Sequence, residues 1–105
     1  MTDDELFWDL IDELRDRDPR VQEGTLMGGR CARVSGEFLA LVDFQGGGLV
    51  VKLPRGRVEE LIADGEGRPF APAGRVFKEW VSVPSADRER WMELLVEGIA
   101  FVAPT

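Results

Sequence analysis

Histidine and tyrosine are absent from this chain of 105 residues, and cysteine occurs once. Without histidine the chain cannot form a Ser-His-Asp triad, and a single cysteine rules out a disulfide within the chain and the usual zinc-binding patterns. Apolar runs are also short, well below the roughly 20 residues that a membrane-spanning helix needs. These absences predict a protein that is not an enzyme, uses no catalytic residue, metal or cofactor, and does not contact a membrane.

Charge is unevenly distributed, although the chain as a whole is acidic. Its net charge is −7, and residues 1–20 alone carry −5. Residues 24–58 and residues 67–78 each carry +3. Non-specific nucleic-acid binding depends on many lysines and arginines, so the overall balance disfavours nucleic acid but is compatible with a local basic surface. The acidic start, Met-Thr-Asp-Asp-Glu, differs from the basic start of a signal peptide and predicts a cytoplasmic protein.

The first segment has the pattern of an amphipathic helix. Thr2 and Glu5 are spaced as a capping box, and Pro19 predicts the end of the helix. Trp8 lies off the apolar stripe, so we expect it to be partly exposed. A partly exposed tryptophan often marks a contact surface, and a weak homodimer is one expectation for it. The stripe consists of Phe7, Leu10, Ile11 and Leu14.

Short apolar runs separated by glycine follow, which is typical of β-strands. Three strands are predicted before the second helix: Thr25–Val34, Glu37–Phe44 and Leu49–Leu53. Tight turns at Ser35-Gly36 and at Gln45–Gly48 make these strands an antiparallel meander. The glycine pair Gly28-Gly29 predicts a β-bulge or a close backbone approach inside the first strand.

A second helix, a loop and a further strand are predicted next. The helix covers Arg55–Ala63, and Gly65 can end it in the left-handed conformation. Residues 64–74 are rich in glycine and proline and predict a loop, with a short edge strand near Phe70. The alternating pattern of Arg75–Val83 predicts another strand.

The last helix is expected to start after Ser85, which is a favourable N-cap residue. Its apolar face contains Trp91 and Leu95, with Gly98 between apolar neighbours. Glycine inside a helix costs ~1 kcal/mol relative to alanine, so Gly98 predicts a close neighbour that needs the space. Residues 1–105 are therefore predicted to form one two-layer α+β domain, an antiparallel sheet flanked by helices in the order α-β-β-β-α-β-β-α.

Several cations and one tryptophan are candidate binding residues. Folding can gather them into a basic groove with an aromatic floor, which suits an anion, a peptide carboxylate or a single nucleic-acid strand. The alternative is that Trp80 packs beneath a helix while the cations are scattered over the surface. Cys31 has no histidine to activate it, so we expect a buried structural thiol. The candidate set is Lys52, Arg55, Arg57, Arg75, Lys78 and Trp80, with Arg68 as a further cation of the same group.

Six short runs are spread over nearly the whole chain. They are Met27-Gly28-Gly29, Val34-Ser35-Gly36, Phe38–Val42, Leu49–Lys52, Gly67–Phe70 and Gly74–Val81. Together they resemble the N-terminal domain of the TfoX/Sxy regulators of bacterial competence and the related YjbR-like group. The resemblance implies a secretion-chaperone-like α+β fold and a non-enzymatic role in regulation.

The expected function is that of a cytoplasmic interaction module that binds another protein. The alternative is a binder of a small anionic ligand or of nucleic acid that uses the basic groove. A small enzyme is the third reading, because no nucleophile–base pair or metal-binding set can be assembled from the sequence.

Overall fold

Three α-helices, one short 3₁₀ helix (Pro72–Gly74) and six strands form in the part of the chain that the structure describes. The computed structural model describes residues 1–26, 28–43 and 47–104. The helices are α1 (Asp3–Arg17), α2 (Arg55–Ala63) and α3 (Arg88–Val102). The strands are β1 (Val21–Leu26), β2 (Gly29–Val34), β3 (Glu37–Val42), β4 (Leu49–Lys52), β5 (Arg68–Pro69) and β6 (Trp80–Val83).

All six strands belong to one sheet, in which every neighbouring pair is antiparallel. The strand order is β1-β2-β3-β4-β6-β5, so β6 lies between β4 and the short edge strand β5. Helices α1 and α3 pack over β1, β3 and β4, while α2 packs over β5 and β6. The predicted α+β class with an antiparallel sheet is therefore confirmed.

The predicted first strand, Thr25–Val34, is wrong, because this segment contributes to two strands. β1 and β2 pair along their whole length, from Val21 opposite Val34 to Leu26 opposite Gly29. Gly28 has a φ of +80°, a left-handed conformation that lets the chain reverse where a single strand was expected. Four strands thus precede α2 instead of three. Some residues of the predicted features lie outside the described residues. They are Met27 of the family resemblance, Phe44 of the predicted second strand, and Gln45 and Gly46 of the predicted turn.

The β-bulge lies in β3 and not at the predicted glycine pair. Ala32 of β2 pairs with Ala40, whereas Arg33 pairs with Phe38, which leaves Leu39 as the extra residue. Leu39 and Ala40 consequently both face the helices. Phe38 belongs to a second apolar cluster on the opposite face of the sheet. The bulge therefore sets which β3 side chains reach each face.

The predicted capping box of the first helix and the predicted hairpin turn are both confirmed. The Thr2 hydroxyl accepts a hydrogen bond from the Glu5 N–H at 3.1 Å, and the Glu5 carboxylate accepts one from the Thr2 N–H at 2.9 Å. Between β2 and β3, Ser35 (φ 52°) and Gly36 (φ 81°) are both left-handed, as a two-residue type I′ hairpin turn requires. The bounds of α2 are also the predicted ones.

The predicted start of the last helix is two residues too early. Asp87 is the N-cap, and its side chain accepts a hydrogen bond from the Arg90 N–H at 3.1 Å. The Ser85 carbonyl instead accepts a hydrogen bond from the indole N–H of Trp91 at 2.9 Å. Ser85 thus holds the buried tryptophan of α3 and does not cap the helix.

The predicted strand Arg75–Val83 begins only at Trp80. Residues 75–79 form a loop that folds back on itself. The Phe77 N–H donates to the Phe70 carbonyl at 3.1 Å, and the Trp80 N–H donates to the Phe77 carbonyl at 3.2 Å. These local bonds replace the ladder bonds that a longer strand would need.

Apolar side chains cover both faces of the sheet. The larger cluster lies between the sheet and the helices and includes Phe7, Trp91 and Leu95. Gly98 lets α3 approach β4 closely, because a β-carbon there would lie 3.0 Å from the Lys52 carbonyl oxygen, and the predicted close neighbour is confirmed. The smaller cluster lies on the outer face, away from the helices, and consists of Cys31, Phe38, Leu41, Val50 and Phe70.

Candidate binding site

Trp80 and Lys52 mark the corner of the outer face that contains most of the candidate residues. They are opposite each other in the β4–β6 ladder. Directly opposite residues of an antiparallel pair present their side chains on the same face, so both side chains lie on the outer face. The Leu53 N–H donates to the Glu79 carbonyl at 2.9 Å, which ties the loop before β6 to the end of β4.

A column of aromatic rings forms around Trp80. The Phe38 ring lies 4.4 Å from the indole at an interplanar angle of 28°, and the Phe77 ring lies 4.7 Å away at 20°. The Phe70 ring is also stacked on the indole, 5.5 Å away at 21°. The Arg75 guanidinium lies over the Phe77 ring, 5.8 Å from its centroid. Trp80 is therefore packed within an aromatic cluster, which reduces the indole surface on which a base could stack.

A depression of about 350 Å³ lies beside this column, and we call it the cationic pocket. Its cations come from three elements: the end of β4, the start of α2 and the loop before β6. They outnumber the single carboxylate in the lining, that of Glu79. The lining residues are Lys52, Arg55, Phe77, Lys78, Glu79 and Trp80. The structure thus brings together four of the six predicted binding residues.

The other two predicted residues lie outside the cationic pocket. Arg57 donates to the Glu97 carboxylate at 2.8 and 3.3 Å and so connects α2 to α3. This hydrogen bonding raises the pKa of Arg57, and the Glu97 carboxylate offsets the positive charge of the guanidinium. Arg75 covers Phe77 at the end of the aromatic column. Arg68, the further cation, is opposite Ser82 at the edge of the sheet.

Most arginines of the described residues pair with carboxylates, and the cations without a carboxylate partner include two that line the cationic pocket. The paired arginines are Arg15, Arg17, Arg20, Arg30, Arg55, Arg57, Arg88 and Arg90. Arg33 donates instead to the backbone carbonyls of Thr25 and Gly36. No carboxylate in residues 1–26, 28–43 and 47–104 forms a salt bridge with four cations: Lys52, Arg68, Arg75 and Lys78.

A second depression, of about 180 Å³, adjoins the cationic pocket. We call it the apolar pocket. It shares Arg55, Phe77, Lys78 and Trp80 with the cationic pocket, and Glu59 also lines it. The apolar lining comes from α2, β5 and the loop before β6: Val58, Ile62, Pro69 and Val76.

Sequence reasoning did not identify the apolar pocket. Val58 and Ile62 fit the buried stripe of α2, and Val76 fits the alternation of a predicted strand. In the structure Val76 lies in the loop before β6 and is 53% exposed. The alternating sequence pattern carries no signal of this exposure, because the exposure depends on the strand beginning at Trp80.

Two other residues singled out by sequence have ordinary structural explanations. Trp8 is partly exposed, as predicted, and the Arg30 guanidinium lies 4.1 Å from its ring centroid. Arg30 is paired with Glu23 at 2.7 Å. Cys31 is fully buried, as predicted, and this burial raises the pKa of its thiol. In the described ranges, no cluster of three or more cysteine or carboxylate side chains could hold a metal ion.

Comparison with protein-family models finds no match, and comparisons with curated proteins and with solved structures find no significantly similar chain. Within residues 1–26, 28–43 and 47–104, no helix has the length and apolar character needed to cross a bilayer.

Proposed function

We propose that the protein is a non-enzymatic, cytoplasmic interaction module that binds an acidic segment of another protein at the cationic pocket. The observation that carries this proposal is the meeting of Lys52, Arg55 and Lys78 in one depression. Lys52 and Lys78 have no described carboxylate partner, in contrast to most cations of this chain. Arg55 pairs with Glu59 at 3.3 Å. Unpaired lysines at a concave surface favour an anionic partner, because at Lys52 and Lys78 binding requires no internal ion pair to break.

An acidic protein segment suits this pocket better than nucleic acid does. The chain carries a net charge of −7, so a long polyanion is repelled by most of the surface. Screening limits this repulsion to ~8–10 Å at physiological salt, so a short acidic segment can still reach the pocket. Single-stranded nucleic acid usually gains affinity by stacking bases on aromatic rings, and three phenyl rings already pack against the Trp80 indole.

A regulatory role is the second part of the proposal. It rests on the resemblance of six sequence runs to the N-terminal domain of the TfoX/Sxy regulators. One of these runs, Phe38–Val42, contains the bulge and places Phe38 beside Trp80. An interaction module without catalytic activity suits a regulatory role, because its effect depends on the partner that it binds.

The test is a titration of labelled hexaglutamate followed by fluorescence anisotropy. We expect binding at low salt that weakens as ionic strength rises. Lys78→Glu and Lys52→Glu should each weaken binding at least tenfold. Arg15→Glu is the control, because it makes the same change of charge on α1, where Arg15 is exposed. Circular dichroism should show that all three variants remain folded.

Two results would overturn the proposal. One is the absence of hexaglutamate binding to the wild-type protein at low salt. The other is equal weakening in Arg15→Glu and in the two lysine variants, because this would show that only the net charge matters. Light scattering on the same samples would show whether the protein forms the weak homodimer considered for Trp8.

A further inference from the structure

We infer that the cationic pocket and the apolar pocket together bind one short peptide motif, in which an apolar side chain is directly flanked by acidic residues. This inference rests on the proposed function and specifies the ligand more narrowly. The apolar side chain would occupy the apolar pocket, while the neighbouring carboxylates would face Lys52, Arg55 and Lys78.

The first argument is the shared wall between the pockets. Arg55, Phe77, Lys78 and Trp80 line both depressions. A ligand group in one pocket therefore lies next to the other pocket, at a spacing that adjacent residues of a peptide can span. Two separate ligands would have to contact the same four side chains at once.

The second argument is the exposure of Val76. Its side chain is 53% exposed, and the other large described hydrophobic side chains with comparable exposure are Met1 at the N-terminus and Val96 on α3. Val76 lies two residues before Lys78, which has no described carboxylate partner. An exposed apolar side chain beside unpaired cations matches a ligand that is apolar at one position and acidic at the next.

The third argument is the size of the apolar pocket. Pockets for drug-sized small molecules usually measure ≈300–1,000 Å³, whereas this one measures about 180 Å³. It can accept one aliphatic side chain but is too small for a long acyl chain. Its apolar lining disfavours a phosphate, which would gain only from the adjoining cationic pocket.

The test compares two labelled peptides, Glu-Glu-Leu-Glu-Glu and Glu-Glu-Ser-Glu-Glu, by fluorescence anisotropy. They carry the same charge and differ only in the central side chain. We expect the wild-type protein to bind the leucine peptide about tenfold more tightly, since partial burial of a leucine contributes roughly that factor. Val76→Ser should remove most of this preference while leaving the affinity for the serine peptide unchanged.

Val96→Ser is the matched control, because Val96 is 48% exposed on α3 and does not line either pocket. It should leave the preference for leucine intact. Lys78→Glu should weaken the binding of both peptides.

Each alternative result has a defined meaning. Equal affinities of the wild-type protein for the two peptides, or an unchanged preference in Val76→Ser, would overturn this inference and leave the proposed function standing. Binding of neither peptide would overturn both. Tighter binding of a short oligothymidine strand than of either peptide would assign the site to nucleic acid and would also overturn both.

Discussion

Replacing Gly98 with alanine is expected to destabilise the protein, although alanine is the better helix former. A β-carbon at position 98 would lie 2.8 Å from Leu39 Cδ1, 3.0 Å from the Lys52 carbonyl oxygen and 3.1 Å from Val51 Cγ2. Leu39 can move by changing its rotamer. The Lys52 carbonyl belongs to the backbone of β4 and cannot move without displacing the strand from α3.

Two opposing effects set the magnitude. Helix propensity favours alanine over glycine by ~1 kcal/mol. Overpacking a close-packed core typically costs ~1–3 kcal/mol. We therefore expect the free energy of unfolding to fall by about 1 kcal/mol in Gly98→Ala. For a domain of this size, such a loss lowers Tm by roughly 4–8 °C.

Gly56 provides the matched control, because it also lies in a helix. Apart from Gly56 itself, its chain neighbours and the backbone of its own helix, no atom lies within 4 Å of the position that its β-carbon would take. Gly56→Ala should therefore gain helix propensity without overpacking and stabilise the protein by roughly 0.5 kcal/mol. The two substitutions are chemically identical. Opposite signs of their changes in the free energy of unfolding would therefore isolate the effect of the contact between α3 and β4.

The assay is urea unfolding followed by far-UV circular dichroism and by tryptophan fluorescence, with the slope of the transition compared between variants. A Gly98→Ala protein that is as stable as the wild type, or more stable, would refute the reasoning. It would mean that α3 can withdraw from β4 with little loss of packing.

Three further predictions follow from burial and ion pairing. Leu95→Ala should lower the free energy of unfolding by ~2–4 kcal/mol because Leu95 is fully buried. Val96→Ala, the exposed control, should change it by less than ~0.5 kcal/mol. A loss below ~1 kcal/mol for Leu95→Ala would contradict the packing of α3. Cys31 should react with a thiol reagent only as the protein opens, because its side chain is buried and its pKa is raised; rapid labelling under native conditions would contradict this. Hydrogen bonds from Arg90 lower the pKa of Glu66 from its ordinary 4.5, so this pair stabilises the fold above that pH and its contribution is lost as pH falls through the lowered pKa. Glu66→Gln should therefore cost about 1 kcal/mol at pH 7 and progressively less as the pH is lowered below 4.5 in urea unfolding, and a loss that does not change with pH would exclude the carboxylate as its cause.

The bounds of α1 and α2 and the hairpin turn could be predicted from sequence because the interactions that set them are local. The capping box joins Thr2 and Glu5 within one helical turn. The turn at Ser35-Gly36 needs two left-handed residues, and glycine supplies one of them without strain. The bounds of α2, Arg55–Ala63, follow from a proline before it and an apolar stripe within it.

The sequence-based predictions of the sheet are wrong where the conformation of a segment depends on its pairing with a neighbouring strand. β1 reads Val-Gln-Glu-Gly-Thr-Leu, which lacks the apolar content of a recognisable strand, and it is ordered by its ladder with β2. The bulge at Leu39 is likewise defined by the register between β2 and β3. No property of Leu39 alone indicates that it faces the same side as Ala40.

The candidate site was predictable as a set of residue types, but only the tertiary structure decided how those residues are used. Lys52 and Trp80 meet because β6 inserts between β4 and β5. Arg57 loses its availability because α3 brings Glu97 beside it, and Trp80 is packed among phenyl rings because the bulge and the loop bring Phe38 and Phe77 against it. Charge and aromaticity are properties of single residues, so the sequence already contains them. Whether a charged or aromatic side chain is available to a ligand depends on neighbours that are distant in the chain. Only the packed fold brings these neighbours together.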